Sequence, residues 1–138
     1  MNKQVLIAGG GIGGLAAAIA AAKADWDVRL FERATQFSEV GAGIQLGPNV
    51  VRRLQAWGLQ RPLQQVVASP PALRACSAIS GKELGRLPLG ADMVRSYGAS
   101  YVTIHRADLH ELLLQALQDR CEVHLNLSQT VVSYTEQD

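Results

Sequence analysis

Near its start the chain places four apolar residues in a row, Val5-Leu6-Ile7-Ala8, and then breaks into glycine at Gly9. Such an unbroken run predicts a strand buried on both faces of a parallel sheet. From Ile12 the period changes: Leu15, Ala16, Ile19 and Ala22 fall on one face of a helix. That stripe is mostly alanine, so the helix can lie close to a sheet. Val28, Leu30 and Phe31 form the next apolar cluster, which completes a strand, glycine turn, helix, strand unit of about 30 residues. Asp25 stands where a helix C-terminus favours glycine; Asp tolerates the left-handed conformation better than most residues, at some cost.

After Arg33 the pattern reads as a loop running to "GAGIQLGPN". Pro48 suits the first turn of a helix with Val50, Val51, Leu54 and Trp57 on its apolar face and Gly58 as its stop. Pro62, Pro70 and Pro71 break up the stretch after that helix. Residues 72–79 and 83–87, around "SGKE", predict a β-hairpin, and residues 88–100 show no periodicity and read as loop. Tyr101 to Ile104 predicts a strand, and "HRADLHELLLQAL" a helix with Leu109, Leu112, Leu113, Ala116 and Leu117 inward. Val123–Leu127 and Val131–Tyr134 read as the last two strands. The fold class is therefore α/β: a Rossmann-like fold with a parallel sheet.

Composition narrows the function. With 48% hydrophobic and 18% charged residues, the 138-residue chain is a foldable globular sequence of one domain's length. A net charge of +1 gives no electrostatic case for nucleic acid or an acidic membrane. Cys76 and Cys121 lack metal-ligand spacing, so free thiols in a reducing compartment, and a cytoplasmic location, are expected. No metal ligand set is legible.

The spacing Gly9-x-Gly11-x-x-Gly14 is the dinucleotide fingerprint. With 13 glycines in the chain the spacing alone is a weak signal. Its context strengthens it, because it lies between a strand and a helix, and Glu32 ends the next strand 18 residues after Gly14. Gly9 would permit the tight turn, Gly11 the approach of a pyrophosphate, and Gly14 the close packing of helix on strand. The helix start at Ile12–Gly13 offers free N–H groups and about half a positive charge to an anion. Glu32 would accept hydrogen bonds from a ribose diol. The competing reading is a plain βαβ turn with a glutamate at an exposed strand end.

Arg106 opens the helix that Asp108 and Glu111 help to cap, where a cation opposes the macrodipole. An arginine in that place suggests an anion nearby, such as the pyrophosphate; a surface arginine paired with Asp108 or solvated is the alternative. His105, His110 and His124 have no acid or nucleophile at a telling spacing and read as surface or packing residues. Arg52 and Arg53 read as a solvated helix face, and Trp57 as core.

Three blocks together carry a family resemblance: "IAGGGIGGLAAAIA", "VRLFERATQFSEVGAGIQLGPNVVRRLQAWGL" and "TIHRADLHELLLQAL". They resemble the N-terminal part of a single-component FAD-dependent aromatic hydroxylase of the salicylate hydroxylase and 3-hydroxybenzoate 6-hydroxylase group. The resemblance covers almost the whole chain. It implies FAD rather than NAD in the fingerprint, with NADH or NADPH as co-substrate and a small aromatic acid as the molecule hydroxylated. By that likeness Gly13 meets the pyrophosphate, and Glu32 and Arg33 meet the adenosine ribose. Gln45 lies on the segment passing the flavin, Arg106 is the FAD-binding arginine, and the backbone at Val131 approaches the adenine. No catalytic residue is named.

The family's downstream Asp-Gly and Gly-Asp motifs, and most of its substrate-pocket sheet, have no counterpart in these 138 residues. The expectation is an N-terminal FAD-binding domain over residues 1–138, with 70–104 a partial substrate-domain β segment, not competent for turnover alone. Unpaired sheet edges, foremost at Val131–Tyr134, would favour self-association. The alternatives are a non-catalytic FAD- or NAD-binding module and a piece that needs a complementary chain.

Overall fold

A computed structural model describes residues 3–38, 41–118 and 120–135. Along the chain these form β1 (Gln4–Ala8), α1 (Ile12–Ala22), β2 (Asp27–Phe31), β3 (Gly43–Leu46), α2 (Pro48–Ala56) and α3 (Gln60–Val66). There follow β4 (Val67–Ala68), β5 (Ala72–Cys76), β6 (Glu83–Pro88), α4 (Gly90–Tyr97), β7 (Val102–His105), α5 (Arg106–Gln118) and β8 (Val123–Asn126). The chain divides into two compact units, one holding residues 1–40 and 107–138 and the other residues 41–106.

The first unit is built on a parallel sheet in the order β1-β2-β8. Val5 pairs with Val28 and Ile7 with Leu30, while Leu30 also faces Leu125 across β8. One face of this sheet is closed. Val28 and Leu30 are fully buried, and α1 contributes Leu15, Ala18, Ile19 and Ala22 to the same core, as α5 does Leu109, Leu112, Leu113 and Leu117. Burying a leucine fully is worth about 1.5–3 kcal/mol, so these side chains are the main stabilising term of the unit. The other face is open, which corrects the expectation for β1. Its residues alternate in exposure, and Leu6 is 62% exposed. At the end of α1 the sequence expectation is met: Asp25 adopts a left-handed φ of 60° while the N–H of Trp26 returns to the carbonyl of Ala21.

The second unit pairs β3, β7 and β4 in an antiparallel sheet, with Gln45 opposite Thr103 and Val67 opposite Ile104. Pro48 opens α2 at its first turn, and Gly58, with φ 85°, follows its end. Val51, Leu54, Leu63, Val102 and Ile104 form the core of this unit. Hairpin β5–β6 lies where the pattern predicts it, with a bulge at Ala75/Cys76 and Glu83 bridging Arg74 and Arg86.

Three further expectations are corrected. Residues 88–100 are not all loop: Gly90–Tyr97 is a helix, ended by the left-handed Gly98. Met93, Val94 and Tyr97 share one face of it, but the helix is short and buries none of its residues. Pro62 does not break the chain but sits in the first turn of α3, where its missing N–H costs nothing. The loop expected after Arg33 carries no helix or strand through residue 38, positions 39 and 40 lie outside the described residues, and strand β3 at Gly43–Leu46 begins within the stretch "GAGIQLGPN" that ends the loop. Val131–Tyr134 forms no strand, because no described segment pairs with it, and the edge expected there is not formed. Instead residues 129–134 run past the open sheet face and enclose, with Leu6, Ile7 and Phe31, an apolar cleft of about 610 Å³.

Candidate nucleotide-binding site

The glycine turn joins β1 to α1, and each glycine has its own physical reason. Gly9 has φ 102°, a region L side chains rarely adopt, and its N–H donates to the Phe31 carbonyl at 2.8 Å, which ties the turn to β2. Gly14 lies under the turn, where a Cβ would collide with the Gly9 carbonyl oxygen. Gly13, in the first turn of α1, is exposed, and a Cβ there would meet nothing within 4 Å. Gly11 caps α1 without any side-chain hydrogen bond, and the first turn carries no acidic residue. The positive end of the α1 dipole is thus uncompensated by side chains of its own helix.

Glu32 follows β2 and reaches back to the turn. Its Oε2 accepts a hydrogen bond from Gly10 N at 2.6 Å and its Oε1 one from Ala34 N at 2.8 Å. Those two amides, Ala34 first and Gly10 second, hold its carboxyl below the ordinary value of 4.5, and the neighbouring Arg33 adds to the effect. The chain beyond β8 is brought alongside by two further bonds. Ser128 N donates to Ala34 O, and Gln129 N to Glu32 O, each at 2.9 Å.

Two clefts result. One, of about 260 Å³, is lined by Gly9, Glu32, Arg33 and Val131 among others. The second, of about 370 Å³, shares Gly9, Glu32 and Arg33 and adds Gly10, Gly11 and His110. The fold therefore gathers Gly9, Gly11, Glu32, Arg33 and Val131 at one place, with Gly13 and Gly14 just behind in α1. Gln45 and Arg106 belong to the second unit. Gln45 is exposed on β3; the Arg106 N–H donates to the Ala42 carbonyl at 3.3 Å, and Gly41 leaves room for the Arg106 stem, whose Cδ would lie 2.9 Å from a Cβ there. His110 does not stand out in its sequence setting, yet it is 3% exposed and its Nε2 lies 2.7 Å from the Gly10 carbonyl oxygen. A signal existed: with Leu113, Leu114 and Leu117 it completes the buried stripe of α5. Among the described residues, no group of three or more His, Cys, Asp or Glu could hold a metal ion, and no helix is long and apolar enough to cross a membrane.

Residues 7–53 match the NAD(P)-binding Rossmann-like domain family. The chain is 42% identical over 114 residues to 6-hydroxynicotinate 3-monooxygenase of Bordetella bronchiseptica, an alignment covering 83% of this chain and 30% of that protein. It is 39% identical over 134 residues to 3-hydroxybenzoate 6-hydroxylase of Polaromonas naphthalenivorans, covering 97% of this chain and 33% of that protein. The solved tetrameric form of 2-methyl-3-hydroxypyridine-5-carboxylic acid oxygenase superposes with a TM-score of 0.83 at 27% identity, over 97% of this chain and 33% of that one. The chain is therefore similar to the N-terminal part of aromatic-hydroxylating flavoprotein monooxygenases. It spans about a third of the length of these relatives.

The residues present suit the dinucleotide part of such a cofactor. The turn leaves the space above Gly13 open, the α1 dipole faces no carboxylate of its own helix, and a fixed carboxylate stands at the end of β2. Each Glu32 oxygen accepts one backbone hydrogen bond and has a second lone pair for a hydroxyl.

The lowered pKa of Glu32 has a consequence for acid stability. A carboxyl whose folded-state pKa lies below 4.5 contributes stability that is complete above pH 4.5 and is lost as the pH falls through the folded-state value. Glu83, held down chiefly by Arg74, and Glu122 titrate in the same direction and persist in a Glu32→Gln chain. Tryptophan fluorescence, from Trp26 and Trp57 together, is expected to show a shallower loss during acid titration for Glu32→Gln than for the parent. Parallel curves would show that the bonds to Gly10 and Ala34 do not form in solution.

Proposed function

We propose that this chain is the FAD-binding portion of an NAD(P)H-dependent monooxygenase that hydroxylates an aromatic acid. The observation that carries the reading is the meeting of the glycine turn, the amide-held Glu32 and residues 129–131 around two adjoining clefts. In this reading Gly11 and Gly13 leave room for the pyrophosphate at the α1 N-terminus, where the dipole attracts it. Glu32 accepts from the adenosine ribose diol with Arg33 beside it, and the backbone at Val131 borders the adenine. Arg106 answers the pyrophosphate charge, and Gln45 lies along the path of the flavin. Bound FAD would supply the redox chemistry, passing electrons from NAD(P)H to oxygen. The residues of this chain hold and orient it. The named relatives act on hydroxylated aromatic or pyridine acids, which supports that substrate class. Saturable FAD binding that ADP displaces is the test; binding of ADP without FAD would favour a nucleotide-binding module.

The 138 residues assayed alone are expected to consume NAD(P)H slowly, with no dependence on an aromatic acid, and to release hydrogen peroxide. Productive oxygen transfer needs walls that exclude water around the flavin, and about a third of the relatives' length supplies few of them. Detection of a hydroxylated product by mass spectrometry would contradict this.

A further inference from the structure

The peptide units around Gly10 are held from two sides. The Gly10 N–H donates to Glu32, and the Gly10 carbonyl oxygen lies 2.7 Å from Nε2 of His110, a residue 100 positions later in the chain that is 3% exposed. A carbonyl can only accept, so Nε2 must carry the hydrogen, whether the ring is neutral or charged. The ring is itself set by packing. Phe37 lies tilted against it with centroids 6.3 Å apart, and the same Phe37 occupies the space a Gly10 side chain would need. This explains why the fingerprint carries glycine at Gly10, a position its spacing leaves free.

Because a trans peptide is planar, its carbonyl and the following N–H point in opposite directions. Holding the Gly10 oxygen therefore also sets the Gly11 N–H, at the cap of α1, on the side away from His110. We infer that His110 is a positioning residue for the nucleotide: it fixes the Gly10–Gly11 peptide in one orientation before the ligand arrives. Ligand binding then does not bear the cost of ordering that peptide. The inference rests on the nucleotide reading of the turn.

Calorimetric titration with ADP separates this role from a packing role. His110→Phe keeps a ring and loses the donor; His110→Gln keeps a donor at similar reach; His110→Met has similar length and none. Phe and Met are expected to weaken ADP binding about tenfold, and Gln to stay within about threefold of the parent, as for loss and retention of one hydrogen bond. If the Phe chain does not fold, the Gln and Met chains carry the same comparison. Equal ADP affinity in the donor and donor-free chains, with only melting temperatures changed, would overturn the inference and leave His110 a packing residue. A parent chain that binds no ADP would overturn the nucleotide reading itself, and this inference with it.

Discussion

Replacing Gly14 by valine is expected to unfold the first unit or lower its melting temperature steeply. The Cβ of any residue there would meet the Gly9 carbonyl oxygen, which is backbone and cannot swing aside. Gly9 cannot retreat either, since its N–H is bonded to Phe31 and its φ of 102° already suits only glycine. Overpacking of this kind costs about 1–3 kcal/mol in a side-chain core and more against fixed backbone, out of a typical total of about 5–15 kcal/mol. Gly13→Ala is the paired control. Its Cβ meets nothing, and helix propensity favours alanine by about 0.8–1.0 kcal/mol, so that chain should melt slightly higher. Thermal denaturation followed by circular dichroism checks both. A Gly14→Val chain that melts like the parent would mean the turn is not built as described.

Glu32→Ala is expected to weaken ADP binding by about 3 kcal/mol, roughly 150-fold in Kd, the scale for hydrogen bonds to a charged group. The effect has two parts. The diol acceptor is lost, and the Gly10 N–H loses the carboxylate that holds it at 2.6 Å. Removing a negative charge also relieves repulsion with the phosphates, but across about 8 Å of water that gain is only about 0.5 kcal/mol. The loss therefore wins. Calorimetry on the parent and variant decides it, and an affinity that rises in Glu32→Ala would place the carboxylate against the phosphates rather than the ribose.

What could be read from the sequence was local. The β1 run, the glycine spacing, the alanine stripe of α1 and the left-handed Asp25 all fall within the first 25 residues, although the run alone did not show that one face of β1 stays open. Helix α4 is only eight residues long, and its signals were present but brief: Met93, Val94 and Tyr97 on one face, the Asp92–Arg95 ion pair and Gly98 as its stop. Strand β3 escaped for another reason: four residues become a strand only because β7, far along the chain, pairs with them. Val131–Tyr134 has the β-branched and aromatic residues of a strand but no described partner, and propensity without pairing does not make one. The same distance dependence hid part of the site. Glu32 and the glycines announced themselves by spacing, whereas the bond from His110 to Gly10 joins residues that only the fold brings together.

Whether this chain holds FAD through its glycine turn is tested most directly by titrating FAD fluorescence with the purified chain. Binding is expected to saturate with an equimolar endpoint, to be displaced by ADP, and to be lost in Gly11→Val, whose branched side chain would occupy the path of the pyrophosphate. Fluorescence that never saturates, or flavin binding indifferent to both ADP and Gly11→Val, would contradict FAD binding at the glycine turn.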